Sequence, residues 1–181
     1  MRDPKLTADR MGRISVEEYA GTPSSGIVVV LDNVRSAHNV GSAFRTADAF
    51  KGDKVYLCGI CAVPPSAEIH KTALGAELSV PWEHSDDTLA LVRNLKEEGY
   101  TVVAVEQTEN SVKLNAFRRG EGVRYAFVFG NEVNGVAQDV VDAADFSLEI
   151  PQFGTKHSLN VSVSVGIILW QAAAGNIPES V

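Results

Sequence analysis

Ile27-Val28-Val29-Val30-Leu31 is an unbroken apolar run with three adjacent valines. β-Branched side chains crowd a helix but suit a pleated strand, and a run without polar alternation needs burial on both faces. That is the situation of an interior strand in a parallel sheet, so helices are required above and below it. The rest of the chain supplies them. Helical patterns over 41–50, 66–74, 87–98 and 136–144, and a last one from about 159, alternate with strand patterns over 54–58, 78–80, 101–106, 125–129 and 146–150. Alternation of this kind predicts an α/β domain with a mainly parallel sheet and right-handed crossovers, with ligands at the carboxyl ends of the strands.

The 181 residues suffice for one such domain, 26–181, preceded by a polar arm, 1–25, with a short helical stretch that ends in Gly21-Thr22-Pro23-Ser24-Ser25-Gly26. A net charge of −7 argues against a uniformly basic nucleic-acid surface, yet residues 1–51 carry seven basic and six acidic side chains against nine and seventeen in the remainder. A local basic site therefore stays open. Sparse cysteine, Cys58 and Cys61 alone, suits a reducing compartment, and a start without an apolar leader makes a cytoplasmic protein the expectation. The stretch 159–174 is interrupted by Asn160, Gly166 and Gln171, and reads as a buried helix rather than a membrane span. Cys58-Gly59-Ile60-Cys61 lacks a second pair and reads as core cysteines, so no metal is expected.

Three segments are too polar and too rich in glycine to be mere connections. The first, Leu31 to Thr46, places Asn39 and Arg45 six residues apart, over a hundred degrees around a helix that begins near Asn39. One can fix the loop while the other meets a phosphate or carboxylate; an ordinary surface arginine is the competing reading. The second, Phe127-Val128-Phe129-Gly130-Asn131-Glu132-Val133-Asn134-Gly135-Val136, ends a strand in a glycine, an amide and a carboxylate before a helix. Its competing reading is a strand-to-helix turn with Asn134 as N-cap. The third runs from Ile150-Pro151 to Gly166, with Ser158 as candidate cap of the last helix and Asn160 in its first turn. Neither the dinucleotide glycine fingerprint nor a P-loop occurs, which disfavours a Rossmann-type oxidoreductase.

In this order and spacing the segments resemble the three motifs of the SpoU/TrmH branch of the SPOUT methyltransferases: Asn-x-Gly-x-x-x-Arg-Thr, Phe-Gly-Asn-Glu-x-x-Gly, and Ile-Pro-x-x-Gly-x-x-x-Ser-Leu-Asn-Val-Ser-Val. The likeness runs from about Ile27 to Ala174, and His70-Lys71-Thr72-Ala73-Leu74-Gly75-Ala76-Glu77 is also typical of the family. It implies a SPOUT α/β-knot, with a deep C-terminal trefoil knot, binding S-adenosyl-L-methionine. It further implies a homodimer that methylates a ribose 2′-hydroxyl in RNA, tRNA before rRNA. A knotted RNA-binding protein without catalysis is the alternative, and retention of Arg45, Glu132 and Asn160 argues against it.

Carried over by position, the resemblance assigns Arg45, Asn39, Glu132, Ser158 and Asn160 to the reacting centre. Val105, Glu106, Gln107, Gly130, Ile150, Ser158 and Leu159 fall to the cofactor. Because a guanidinium stays protonated, Arg45 is expected to bind the RNA phosphate and orient the hydroxyl rather than act as base, the proton leaving through the phosphate, Glu132 or water. Arg35, His38 and Lys71, with Arg10 and Arg13 of the arm, are the candidate RNA contacts, and Arg10, Arg13, Arg35 and Arg45 are expected to converge near one dimer cleft.

Overall fold

The computed structural model describes residues 3–7 and 10–173. Seven strands, β1 (Ile27–Asp32), β2 (Lys54–Cys58), β3 (Trp82–Ser85), β4 (Tyr100–Val105), β5 (Val112–Lys113), β6 (Arg124–Phe129) and β7 (Phe146–Glu149), form one sheet in the order β3-β2-β1-β6-β4-β7-β5. Every pairing is parallel. The apolar run 27–31 lies in β1, an interior strand buried at all six positions.

Alternation along the central strands builds two cores. Ile27, Val29 and Leu31 of β1, with Tyr125, Phe127 and Phe129 of β6, face α2 (Ala37–Ala49), α3 (Ala67–Ala73) and α7 (Val161–Ala173). Val28, Val30, Ala126 and Val128 face α5 (Thr88–Glu97) and α6 (Gln138–Ala143). Ahead of the sheet, α1 (Val16–Gly21) starts in a capping box between Ser15 and Glu18 and is pinned by Tyr19, whose hydroxyl donates to Gly52 O at 2.9 Å.

Several boundaries differ from the sequence reading. The strand expected over 78–80 is instead part of a short helix, α4 (Ala76–Ser79), and the edge strand follows at Trp82–Ser85. Leu74 and Gly75 both take left-handed backbone, φ 53° and 95°, which ends α3 and restarts a helical turn at once. The edge strand itself, Trp-Glu-His-Ser, is half exposed and lacks the apolar pattern that marks interior strands. Likewise β5 is a two-residue exposed pairing inside what read as a polar connection. α2 begins four residues earlier than expected, because the Ser36 hydroxyl accepts from Asn39 N at 3.2 Å.

Asn134 does not cap α6, which starts at Gln138 without a side-chain cap. Ser158 does not cap the last helix. Asn160 stands immediately before α7, its Oδ1 accepting from Ser162 N at 2.9 Å and from the Ser162 hydroxyl at 2.7 Å. The cysteines lie on opposite faces of the sheet, one in each core, and burial pushes the Cys58 thiol up to about 12 and the Cys61 thiol up to about 11. Both are therefore thiols rather than thiolates near neutrality. No helix among the described residues is long and apolar enough to cross a membrane.

Candidate active site

The strand order departs from chain order around β6, which is inserted between β1 and β4. In an open parallel sheet the crevice for a ligand lies outside the carboxyl ends at such a place. There the structure holds a cavity of about 510 Å³, at the ends of β6, β4 and β7. All the residues expected to hold a cofactor line it: Val105, Glu106, Gln107, Gly130, Ile150, Ser158 and Leu159. Glu132 and Asn160 line it as well.

Three side chains from three elements join at its lip. Asn39 Nδ2 donates to Glu132 Oε1 at 2.8 Å, and Asn160 Nδ2 donates to Asn39 Oδ1 at 3.2 Å. Residue 39 belongs to the first turn of α2, 132 to the loop after β6, and 160 to the start of α7, so each motif contributes one member. Burial acts to raise the Glu132 pKa. The N–H of Glu132 itself, the Asn39 amide and the N–H groups of Arg35 and Ser36 outweigh it and hold the carboxyl below its ordinary value.

Glycine makes this convergence possible at two points. A Cβ on Gly41 would stand 2.1 Å from Thr72 Oγ1 and 2.3 Å from Ile69 O, so α2 and α3 approach closely enough for Thr72 to donate to His38 O at 2.9 Å. A Cβ on Gly130 would stand 1.9 Å from the Gly135 carbonyl carbon and 2.0 Å from Val136 N. The loop from 130 to 135 folds back on itself. Asn131 Oδ1 accepts from Val133 N and Asn134 N, and the backbones of Asn131 and Gly135 exchange two hydrogen bonds. Asn131, singled out only as a residue of the sheet edge, is thus what shapes the turn carrying Glu132.

Other candidates lie apart from this cluster. Arg45 is exposed on α2, about 9 Å of helix rise beyond Asn39 by helix geometry, and does not line the cavity of its own chain. Arg35, His38 and Lys71 are exposed near the start of α2 and on α3. Arg10 and Arg13 are exposed ahead of α1, and α1 docks through Gly52 at the amino edge of the sheet, opposite the cavity. Arg118 and Arg119, further cationic candidates, donate to backbone carbonyls of Asn115, Phe117 and Ser25. His157 and Gln152 also line the cavity, and Gln107 Nε2 donates to His157 O at 2.8 Å, tying the end of β4 to the segment before α7. Sequence reasoning passed over both, since a single histidine or glutamine in a loop carries no periodic signal.

The family model of the SpoU rRNA methylases matches residues 26–170. The chain belongs to that family. Among its relatives is the 23S rRNA (guanosine-2′-O-)-methyltransferase RlmB of Nitrosomonas europaea, 36% identical over 155 residues, covering 83% of this chain and 57% of the relative. Another is the tRNA (guanosine(18)-2′-O)-methyltransferase of Aquifex aeolicus, 34% identical over 148 residues, covering 81% and 68%. The AdoMet-bound rRNA methyltransferase from Sinorhizobium meliloti superposes with a TM-score of 0.77 at 28% identity, covering 84% of this chain and 57% of that one. The A. aeolicus TrmH/SpoU tRNA modifying enzyme gives 0.77 at 30%, covering 88% and 79%. The chain therefore spans little more than half the length of the two rRNA-directed relatives, and its fold is that of the SPOUT methyltransferases.

Proposed function

We propose that this chain is an S-adenosyl-L-methionine-dependent methyltransferase acting on a ribose 2′-hydroxyl in RNA. The observation that carries the reading is the Asn39–Glu132–Asn160 cluster at the lip of the carboxyl-edge cavity, assembled from all three motifs. Relatives named as guanosine 2′-O-methyltransferases of rRNA and tRNA, and a structural neighbour with AdoMet bound, support it.

The donor set fits the cofactor. Phe129, Leu148, Ile150 and Leu159 offer apolar surface for an aromatic base, Gln107 and Ser158 offer polar partners, and the Glu132 carboxylate suits a positively charged centre. Bound there, the cofactor supplies an electrophilic methyl group on a sulfonium. Glu132, held ionised, is a weak base, and its part is to fix the hydroxyl by accepting its hydrogen bond; the Asn39 amide keeps it aimed. Arg45 binds the adjoining RNA phosphate and so orients the hydroxyl, whose proton leaves to water.

A homodimer belongs to the same proposal. Val163 and Trp170 of α7 are about half exposed, and among the described residues a Cβ on Gly166 would meet nothing within 4 Å. Arg45, outside the cavity of its own chain, is consistent with a site completed by a second copy. The C-terminal trefoil knot, tRNA in preference to rRNA, Arg35, His38, Lys71, Arg10 and Arg13 as RNA contacts, and a cytoplasmic setting complete the proposal. Calorimetry tests it first. S-Adenosylhomocysteine is expected to bind and NADH is not; binding of NADH alone would replace this reading with that of an oxidoreductase.

A further inference from the structure

Val136 and Ala137 follow the loop that carries Glu132, and helical pattern in the sequence had assigned them to the next helix. Their N–H groups are instead taken by two carboxylates from different strands. Val136 N donates to Glu106 Oε2 at 3.0 Å, and Ala137 N donates to Asp32 Oδ2 at 3.1 Å. Asp32 ends β1 and Glu106 immediately follows β4, the two neighbours of β6 in the sheet. The loop leaving β6 is therefore gripped from both flanking strands.

Both oxygens of each carboxylate accept from the protein. Asp32 is 1% exposed, and its Oδ1 accepts from the Thr88 hydroxyl at 2.7 Å and from Asn33 Nδ2 at 2.9 Å. Glu106 Oε1 accepts from Gln107 N at 2.8 Å, and Oε2 lies against the Cα of Gly135, where a Cβ would stand 2.1 Å away. A buried carboxylate such as Asp32 is costly unless its oxygens are satisfied, and half-buried Glu106 has one oxygen on each of two backbone N–H groups, so these contacts favour one arrangement of the loop. The loop between them forms one wall of the cavity and ends the chain of bonds that aims Glu132.

We propose that Glu106 and Asp32 are positioning residues, a two-sided clamp that holds the loop 130–137 in its ligand-binding shape. This goes beyond lining the cavity and rests on the cofactor reading only for its effect on binding. The amide of glutamine cannot accept from both Gln107 N and Val136 N, and aspartate keeps the charge but shortens the reach. The test is amide exchange in the ligand-free full chain, followed by NMR, together with calorimetry of S-adenosylhomocysteine. For Glu106→Gln and Glu106→Asp, exchange at Val136 is expected to rise at least tenfold, and for Asp32→Asn the same is expected at Ala137. The thermal midpoint should stay within a few degrees, and the dissociation constant for S-adenosylhomocysteine should rise about tenfold.

Unchanged exchange in all three variants overturns the clamp, even where binding weakens, since Glu106 would then act on the ligand directly. Wild-type exchange in Glu106→Asp alone also overturns it, because charge rather than reach would be what matters. Faster exchange in a protein whose wild type binds no S-adenosylhomocysteine upholds the clamp and rejects the cofactor reading.

Discussion

Asn39 and Glu132, 93 residues apart in the chain, meet at 2.8 Å, and Asn39 is in turn bonded by Asn160 at 3.2 Å. One amide thus uses its donor on the loop after β6 and its acceptor on the start of α7. Aspartate at position 39 would face the Glu132 carboxylate with a second negative charge and no donor. Asn39→Asp is expected to lower kcat about a hundredfold, as loss of one aligned donor at a reacting centre does. Asn39→Ala should cost less than Asn39→Asp, and steady-state kinetics on RNA compares the two.

Glu132 gives a pH dependence whose sign is fixed by its surroundings. Its pKa is lowered in the folded chain, where burial is outweighed by hydrogen bonds from its own N–H, Asn39, Arg35 and Ser36. Such a group contributes stability above the unfolded carboxylate range, around pH 4.3, and loses it as the pH falls through the folded value. Wild type is expected to be more stable than Glu132→Gln at pH 7, with the difference shrinking as the pH falls below the unfolded carboxylate range and through the lowered folded value. Thermal melts across that range check it.

How much of this was legible in the sequence depended on the kind of interaction. β1, β2 and β6 could be placed because burial on both faces leaves an apolar run, and the three motifs located the cavity residues. The edge strand Trp82–Ser85 was missed because half-exposed strands leave no such pattern. Helix starts were misplaced where caps decide them: Ser36 and Asn160 both lie one residue before their helices. The role of Asp32 was invisible for another reason. It depends on a backbone N–H 105 positions away, which no local spacing encodes.

Gly41 is the packing contact beneath Asn39. Its missing Cβ lets Thr72 and Ile69 stand within about van der Waals contact of the α2 backbone. Gly41→Ala is expected to cost about 1–3 kcal/mol as an overpacked contact. A lower thermal midpoint and a raised KM for RNA together would show that α2 has moved away from α3. An unchanged midpoint would mean that the neighbouring turn gives way without cost.

The arm tests the electrostatic part of the account in an acidic chain. If Arg10 and Arg13 contact RNA phosphates, replacing both with glutamine weakens RNA binding and lowers the salt slope by roughly 0.7 per lost contact on a single strand. Binding isotherms at several salt concentrations measure this. The docking of α1 at the sheet edge opposite the cavity makes the result informative, since an unchanged slope removes the arm from the RNA surface.

The most direct measurement is transfer of tritiated methyl from S-adenosylmethionine to RNA by the wild type and by Arg45→Ala, followed by alkaline digestion. A methyl on the 2′-oxygen blocks cleavage of the adjacent phosphodiester, so label at the ribose is recovered in alkali-resistant dinucleotides. Wild type is expected to place its label there. Arg45→Ala should lose about a hundredfold or more in rate while binding S-adenosylhomocysteine within twofold of wild type, because Arg45 lies outside the cavity. Label recovered in mononucleotides, or undiminished transfer by Arg45→Ala, would contradict the account.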